Sequence, residues 1–244
     1  MFTTRNRNGS RENELTPYMR ELTNDAYAGK ADAQFSLGMC YMEGVNDFCK
    51  DEVKAMRWLL AAGEQQYVPA YGALAYAYLK GTICRPSNEK FALWAARYLE
   101  AEAFDGESDS VTLNLYAKEL GRILMEGDGV EKDLEKAKHW LRISALKGEA
   151  LSQLRMGVIA YLQNSYEEAV EWLRKAAEQN NMDAQRILGW CILCSQPTAA
   201  DLKEARRWLL RAIRQGDKQA VRILQDYFRD RKEIGKANET SENK

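Results

Sequence analysis

Proline and histidine are scarce in this chain of 244 residues, with four and one respectively. Few prolines, and few runs of β-branched residues, argue against a turn-rich β fold and leave room for uninterrupted helices. The single histidine, His139, has no second histidine or clear nucleophile beside it, so no general-base constellation is expected. No run approaches the roughly 20 apolar residues that span a bilayer. Met1–Arg20 also lacks an apolar core, which predicts no signal peptide and a cytoplasmic location. A net charge of −1 supplies no global field toward nucleic acid or membrane. The five cysteines are odd in number and hold no constant place in the sequence, so reduced, packing cysteines are expected.

What the chain does have is a repeated frame. Trp58, Trp94, Trp140, Trp172 and Trp208 are spaced by 36, 46, 32 and 36 residues. Seven residues before each stands a helix N-cap type: Asp51, Ser87, Asp133, Ser165 and Asp201. Ser165 with Glu168, and Asp201 with Glu204, have capping-box spacing. Three residues before the tryptophan comes alanine in four of five copies, Ala55, Ala137, Ala169 and Ala205, with Phe91 in the other. This is one amphipathic helix written five times.

A second helix shares the frame. Sixteen residues after the tryptophan comes an apolar anchor, Leu74, Met156, Leu188 or Leu224; after Trp94 the distance is 26, ending at Leu120. Leu37 is the first anchor, behind a copy that lacks the tryptophan. Glycine follows the anchor at Gly38, Gly121, Gly157 and Gly189. Mid-helix glycine costs about 1 kcal/mol relative to alanine, so its recurrence predicts a close helix crossing that offsets the cost. Periods of this size mean stacked helical hairpins. Five units run from about Asp32 to Gly216, and Ala220–Asp230 reads as a closing half-unit.

The stretch from Gly127-Asp128-Gly129-Val130 through Asp133, Lys136 and Ala137 to Trp140 resembles the core signature of Sel-1-like repeats (SLR), relatives of tetratricopeptide (TPR) repeats. Ala33, Leu37, Gly38, Tyr41 and Gly44 match the first half of that pattern, and Ala184, Leu188 and Gly189 match it again. The resemblance implies an all-α fold, a right-handed superhelical α-solenoid of antiparallel helix pairs. It would hold about five SLR/TPR-like repeats plus terminal half-repeats over residues 15–234, between disordered polar tails at 1–14 and 235–244. It also implies a bacterial, non-enzymatic adaptor or scaffold that binds a partner protein or peptide in its concave groove, with no cofactor.

Three departures interrupt the frame. Ten extra residues near Ala101–Ser110 lengthen one connection, the turn of the fourth unit has shrunk to Gln163-Asn164, and Ser195-Gln196-Pro197-Thr198 replaces the glycine turn of the fifth. Charge is uneven as well. Asp201–Lys236 holds eleven Lys/Arg and six Asp/Glu, a net of +5. A solvated cap is the expectation there, with a patch for nucleic acid or an acidic partner as the alternative.

Two motifs suggest chemistry. Cys191-Ile192-Leu193-Cys194 has redox or half-zinc spacing, but no second Cys/His pair completes a zinc site and the motif falls inside a helix. The Gly127-Asp128-Gly129 turn lacks the lysine and strand of a phosphate loop. Neither predicts an enzyme.

By the resemblance, the groove is lined by residues two before, two after and five after each anchor. These positions nominate Phe35, Met39, Tyr76, Arg122, Tyr161, Arg186, Trp190 and Arg222 as partner-binding. Trp190 is the one tryptophan outside the frame. The set is apolar enough to mark an interaction face, or else to be buried by a tight superhelix or covered by the long second connection. A protein or peptide partner is expected, without nucleic acid or membrane insertion. A dedicated sequestering partner, such as a toxin-neutralising immunity protein or an effector chaperone, is the alternative to a general adaptor. A thiol redox or metal protein using Cys191 and Cys194 is the third reading.

Overall fold

The computed structural model describes residues 16–46, 48–103, 111–195 and 197–227, and all its regular elements among them are helices. Two compact units divide the chain. One holds Met1–Tyr116 with Asp128–Glu131, and the other holds Ala117–Gly127 with Lys132–Lys244. The first contains α1 (Pro17–Tyr27), α2 (Ala31–Glu43), α3 (Glu52–Glu64), α4 (Val68–Lys80), α5 (Asn88–Ala103) and the start of α6 (Val111–Glu126). The second contains the rest of α6, then α7 (Leu134–Leu146), α8 (Ala150–Leu162), α9 (Tyr166–Glu178), α10 (Met182–Cys194) and α11 (Ala199–Arg214). A further helix, α12, is described over residues 218–227. Helices consecutive in sequence pack on each other within each unit, α2 on α3, α4 on α5, and α7 through α11 in turn.

The anchor glycines explain the hairpins. A Cβ at Gly121, Gly157 or Gly189 would lie 2.4, 2.5 or 2.7 Å from Cγ of Leu141, Leu173 or Leu209. In the same three places it would lie 3.2 Å from the backbone oxygen of Ala137, Ala169 or Ala205. Gly38 meets Leu59 in the same way, at 2.9 Å. The alanine three before the tryptophan and the leucine one after it are fully buried in these copies. Glycine, alanine and leucine thus form one contact that recurs in four of the five repeats; the second has Ala75, Phe91 and Ala95 in these places.

Hairpin register is set by a backbone bond. The N–H of the residue seven before the tryptophan donates to the carbonyl four after the anchor: Asp51 to Tyr41, Ser87 to Tyr78, Asp133 to Leu124 and Ser165 to Ala160, at 2.9–3.1 Å. The bond survives in the fourth unit although its turn is four residues shorter. Asn164 adopts the left-handed region there, at φ 60°, which asparagine tolerates better than most residues.

Two capping expectations are corrected. Asp51 and Asp133 do cap α3 and α7, each accepting from a backbone N–H at 2.9 Å. Ser165 holds the N-cap position of α9 but its side chain makes no capping bond, and Glu168 bonds Lys138 at 2.8 Å instead of closing a box. Asp201 is not an N-cap. Helix α11 begins at Ala199, capped by Thr198, with Asp201 returning the reciprocal bond of the box and Glu204 free to pair with Arg174. The Ser-Gln-Pro-Thr turn offers its threonine earlier, and α11 gains a turn of helix.

The tails and residues 104–110 of the insertion lie outside the described residues, as do Asp47 and Gln196. Tryptophans 58, 94, 140 and 208 are buried, and Trp172 is half-buried. Four carry an Arg or Lys over the indole, Arg97 at 4.8 Å and Lys175 at 4.4 Å among them, which covers the outer ring face.

Candidate partner-binding faces

In the first unit Phe35 and Met39 lie half-buried on α2, with Phe35 tilted 5.5 Å from Tyr67. Tyr76 on α4 is 43% exposed, a large aromatic beside buried Ala75 and Ala77. Beneath α4, Tyr116 donates its hydroxyl to the carbonyl of Gly72 at 2.7 Å, and burial pushes its phenol well above the ordinary value. This fixes the backbone that presents Tyr76.

In the second unit the nominated residues separate into two kinds. Trp190 on α10 is 39% exposed, and its indole N–H donates to the hydroxyl of Tyr161 on α8 at 3.1 Å. Tyr161 is half-buried, packed on the core and edge-on to Tyr166 at 5.8 Å. Leu162 and Tyr166 are exposed nearby in sequence, around the shortened turn. The helix geometry therefore holds an aromatic pair at the surface, with its polar atoms satisfied by each other.

Two of the three nominated arginines are held in ion pairs. Arg122 on α6 is clamped by Glu119 at 3.1 Å and Glu126 at 2.6 Å. Arg186 on α10 pairs with Asp183 at 2.7 Å and with Asp217 at 2.8 Å. Asp217 is almost fully buried and also caps α12, accepting from the N–H groups of Gln219 and Ala220. Arg186 thus ties α10 to the start of α12, a structural role that leaves it little reach toward a ligand. Arg222 is exposed on α12. Leu154 and Leu193, on the same nominal face, are buried. The face is accordingly mixed: burial claims the leucines, while Tyr76 and Trp190 stay open.

One further cation stands on α8. Nη1 of Arg155 is buried with no hydrogen-bond partner, and burial holds its guanidinium below the usual arginine range. Glu119, Glu126 and Glu149 temper that cost.

The cysteine motif does not assemble a reactive site. Cys191 is fully buried in α10 and its thiol is pushed up to about 12, which keeps it neutral. A redox nucleophile needs the opposite shift. Cys194 is exposed and likewise shifted up. Cys49 is also exposed, so two of the cysteines are not core packers. Among the described residues no three His, Cys, Asp or Glu side chains gather as metal ligands. His139 is exposed, edge-on to Trp140 at 4.6 Å. No described helix is long and apolar enough to cross a membrane.

A recurrent polar device went unread in the sequence. Gln34, Gln153 and Gln185, each three before an anchor, are buried and donate to the carbonyls of Ala26, Ala145 and Ala177, eight residues back. Gln65, Gln179 and Gln215, each seven after a tryptophan, donate to those glutamines at 2.7–2.8 Å. The signal was the in-register glutamine itself.

Comparison with known proteins supports the repeat assignment. The Sel1 repeat model matches residues 31–67, 68–100, 117–149, 150–181 and 183–217. No characterised protein sequence gives a significant match. A protective antigen of uropathogenic Escherichia coli strains that displays an SLR fold is 28% identical, with a TM-score of 0.51 over 83% of this chain and 42% of that one. A Sel1 repeat protein from Oxalobacter formigenes is also 28% identical, with a TM-score of 0.46 over 84% of this chain and 57% of that one. The chain thus spans less than two thirds of either. With five matched repeats covering most of its described length, the chain belongs to the Sel1 repeat family.

Proposed function

We propose that this chain is a non-catalytic binding module that holds a partner protein or peptide on its anchor-helix faces. Sel1 repeat proteins generally mediate protein–protein interaction, and that much follows from the family. The finer reading rests on one observation: Trp190 and Tyr161 form a hydrogen-bonded aromatic pair at the surface of α10 and α8. Tryptophan and tyrosine dominate binding energy at interfaces because they bury much apolar area at low entropic cost. Tyr76 offers the first unit a similar point of contact.

Capture of host proteins by the full chain, with Trp190→Ala beside wild type, tests this. Trp190→Ala abolishes capture while costing no more than about 1–2 kcal/mol of stability, since only part of the indole is buried. Unchanged capture would sink the assignment, and so would loss of the folded state. A single tight one-to-one complex would favour the dedicated sequestering role, whereas several weaker partners would favour a general adaptor.

A further inference from the structure

On every tryptophan helix the positions five and one before the tryptophan and six after it are exposed, while those two before and three after it range from exposed to the buried Ala92. In α11 these five positions are Lys203, Arg206, Arg207, Arg211 and Arg214, all cations and all exposed. Each of the other four copies has a single Lys or Arg at these positions: Arg57, Arg97, Lys138 and Lys175. On α9, the preceding copy in the same unit, Lys175 stands among Glu167, Glu171 and Glu178. The repeat frame does not ask for this concentration of charge, so it is particular to α11.

Among the described residues no carboxylate pairs with it. The carboxylates of the region serve elsewhere: Asp201 in the capping box, Glu204 on Arg174 and Trp208, and Asp217 on Arg186. Arg207 and Arg211 lie over the Trp208 ring at 5.6 and 4.7 Å, which orders their guanidinium planes. Together the cations and Leu210 line a shallow cleft of about 420 Å³. From Lys203 to Arg214 the stripe runs about 16 Å along the helix.

We propose that the outer face of α11 is a second docking surface, for an acidic segment of a partner protein. Charge complementarity selects an anion, and the surroundings select its shape. Helix α9 lies beside α11, joined to it by the Arg174–Glu204 ion pair at 2.7 Å, and exposes Glu167, Glu171 and Glu178, so a broad polyanion such as duplex nucleic acid is opposed by those carboxylates. Single-stranded nucleic acid binds through exposed aromatic platforms, and here Trp208 is buried beneath its arginines. A narrow acidic peptide needs only the row of guanidinium and ammonium groups. Carboxylates four residues apart on a helix repeat about every 6 Å, matching Lys203, Arg207 and Arg211.

The test is fluorescence anisotropy with a labelled Glu/Ala peptide of about 12 residues, long enough as a helix to cover the stripe. It is run on the full chain beside a labelled oligo(dT) strand of equal charge. The expected result is peptide binding that Lys203→Glu/Arg206→Glu/Arg214→Glu weakens at least about tenfold and that salt weakens further. Lys203→Gln/Arg206→Gln/Arg214→Gln should weaken it by less, with unchanged helical circular dichroism. Lys54→Glu/Arg57→Glu/Lys90→Glu, an equal charge change in other repeats, leaves binding intact, and so does Trp190→Ala. The proposal is overturned by no peptide binding at low salt, by equal losses in the two charge-reversal variants, or by tighter oligo(dT) binding. A salt-sensitive dimer that disappears in the α11 variant while peptide binding persists would likewise overturn it, assigning the face to a second copy.

Discussion

Helices α9 and α11 occupy the same place in consecutive repeats, and they agree inside and disagree outside. Inward, Ala169 and Ala205 are fully buried, Leu173 and Leu209 each receive an anchor glycine, and both tryptophans sit under a cation. Outward, one carries three glutamates and a lysine where the other carries five cations. Their starts differ too, a serine without a capping bond against a complete capping box. Packing geometry constrains the inner positions because a single methyl group has nowhere to go. Solvent imposes no such limit, so outer faces and turns are where copies diverge and where recognition can be written.

The strongest way to break this equivalence is truncation of the shared core. Leu173→Ala and Leu209→Ala should each cost about 2–5 kcal/mol in urea denaturation, since both leucines are fully buried. Costs differing by more than about 2 kcal/mol would mean the two crossings are not the same contact. Overpacking from the other side is milder: Gly157→Ala and Gly189→Ala should cost about 1–3 kcal/mol each, with Gly157 at the higher end because its approach is tighter. A free or stabilising alanine there would contradict the close crossing.

The starts of the helices supply a contrast instead of a match. Thr198→Ala should lower stability by about 1 kcal/mol and Ser165→Ala by a few tenths at most. Equal losses would erase the difference between a formed and an unformed cap. Smallest is a pH effect at the start of α11, with no counterpart at the start of α9. Hydrogen bonds from Thr198 hold the Asp201 carboxyl below its ordinary value of 3.8. A depressed carboxylate contributes stability above its unfolded value and loses that contribution as pH falls through the folded one. Acidification below about pH 4 should therefore weaken wild type more than Asp201→Asn in thermal melts. Parallel pH curves would remove Asp201 from the cap.

Much of this architecture was legible in the residues. Tryptophan, alanine, leucine and glycine recur because burial and close approach admit few substitutes, so the all-α class and the hairpin followed from spacing. The start of α11 was not legible. Asp201 and Thr198 are both good caps, and only the course of the preceding turn decides between them. The bond of Arg186 to Asp217 was not legible, because Asp217 lies 31 residues away and no local pattern pairs them. The exposure of Trp190 was legible in part: its absence from the frame set it apart, but its bond to Tyr161 depends on the side-by-side approach of α8 and α10.

The glutamines have a consequence for how the chain opens. Each buried glutamine sits in one helix, holds the end of the helix before it and accepts from the end of the helix after it. Releasing α9 in the second unit therefore strips a partner from both Gln153 and Gln185, and releasing α10 takes the Gln185 side-chain donor from the carbonyl of Ala177. In nearest-neighbour terms the glutamines raise the coupling between repeats relative to the stability of each one. Amide protons from α8 through α10 should accordingly exchange with solvent through one shared opening rather than repeat by repeat.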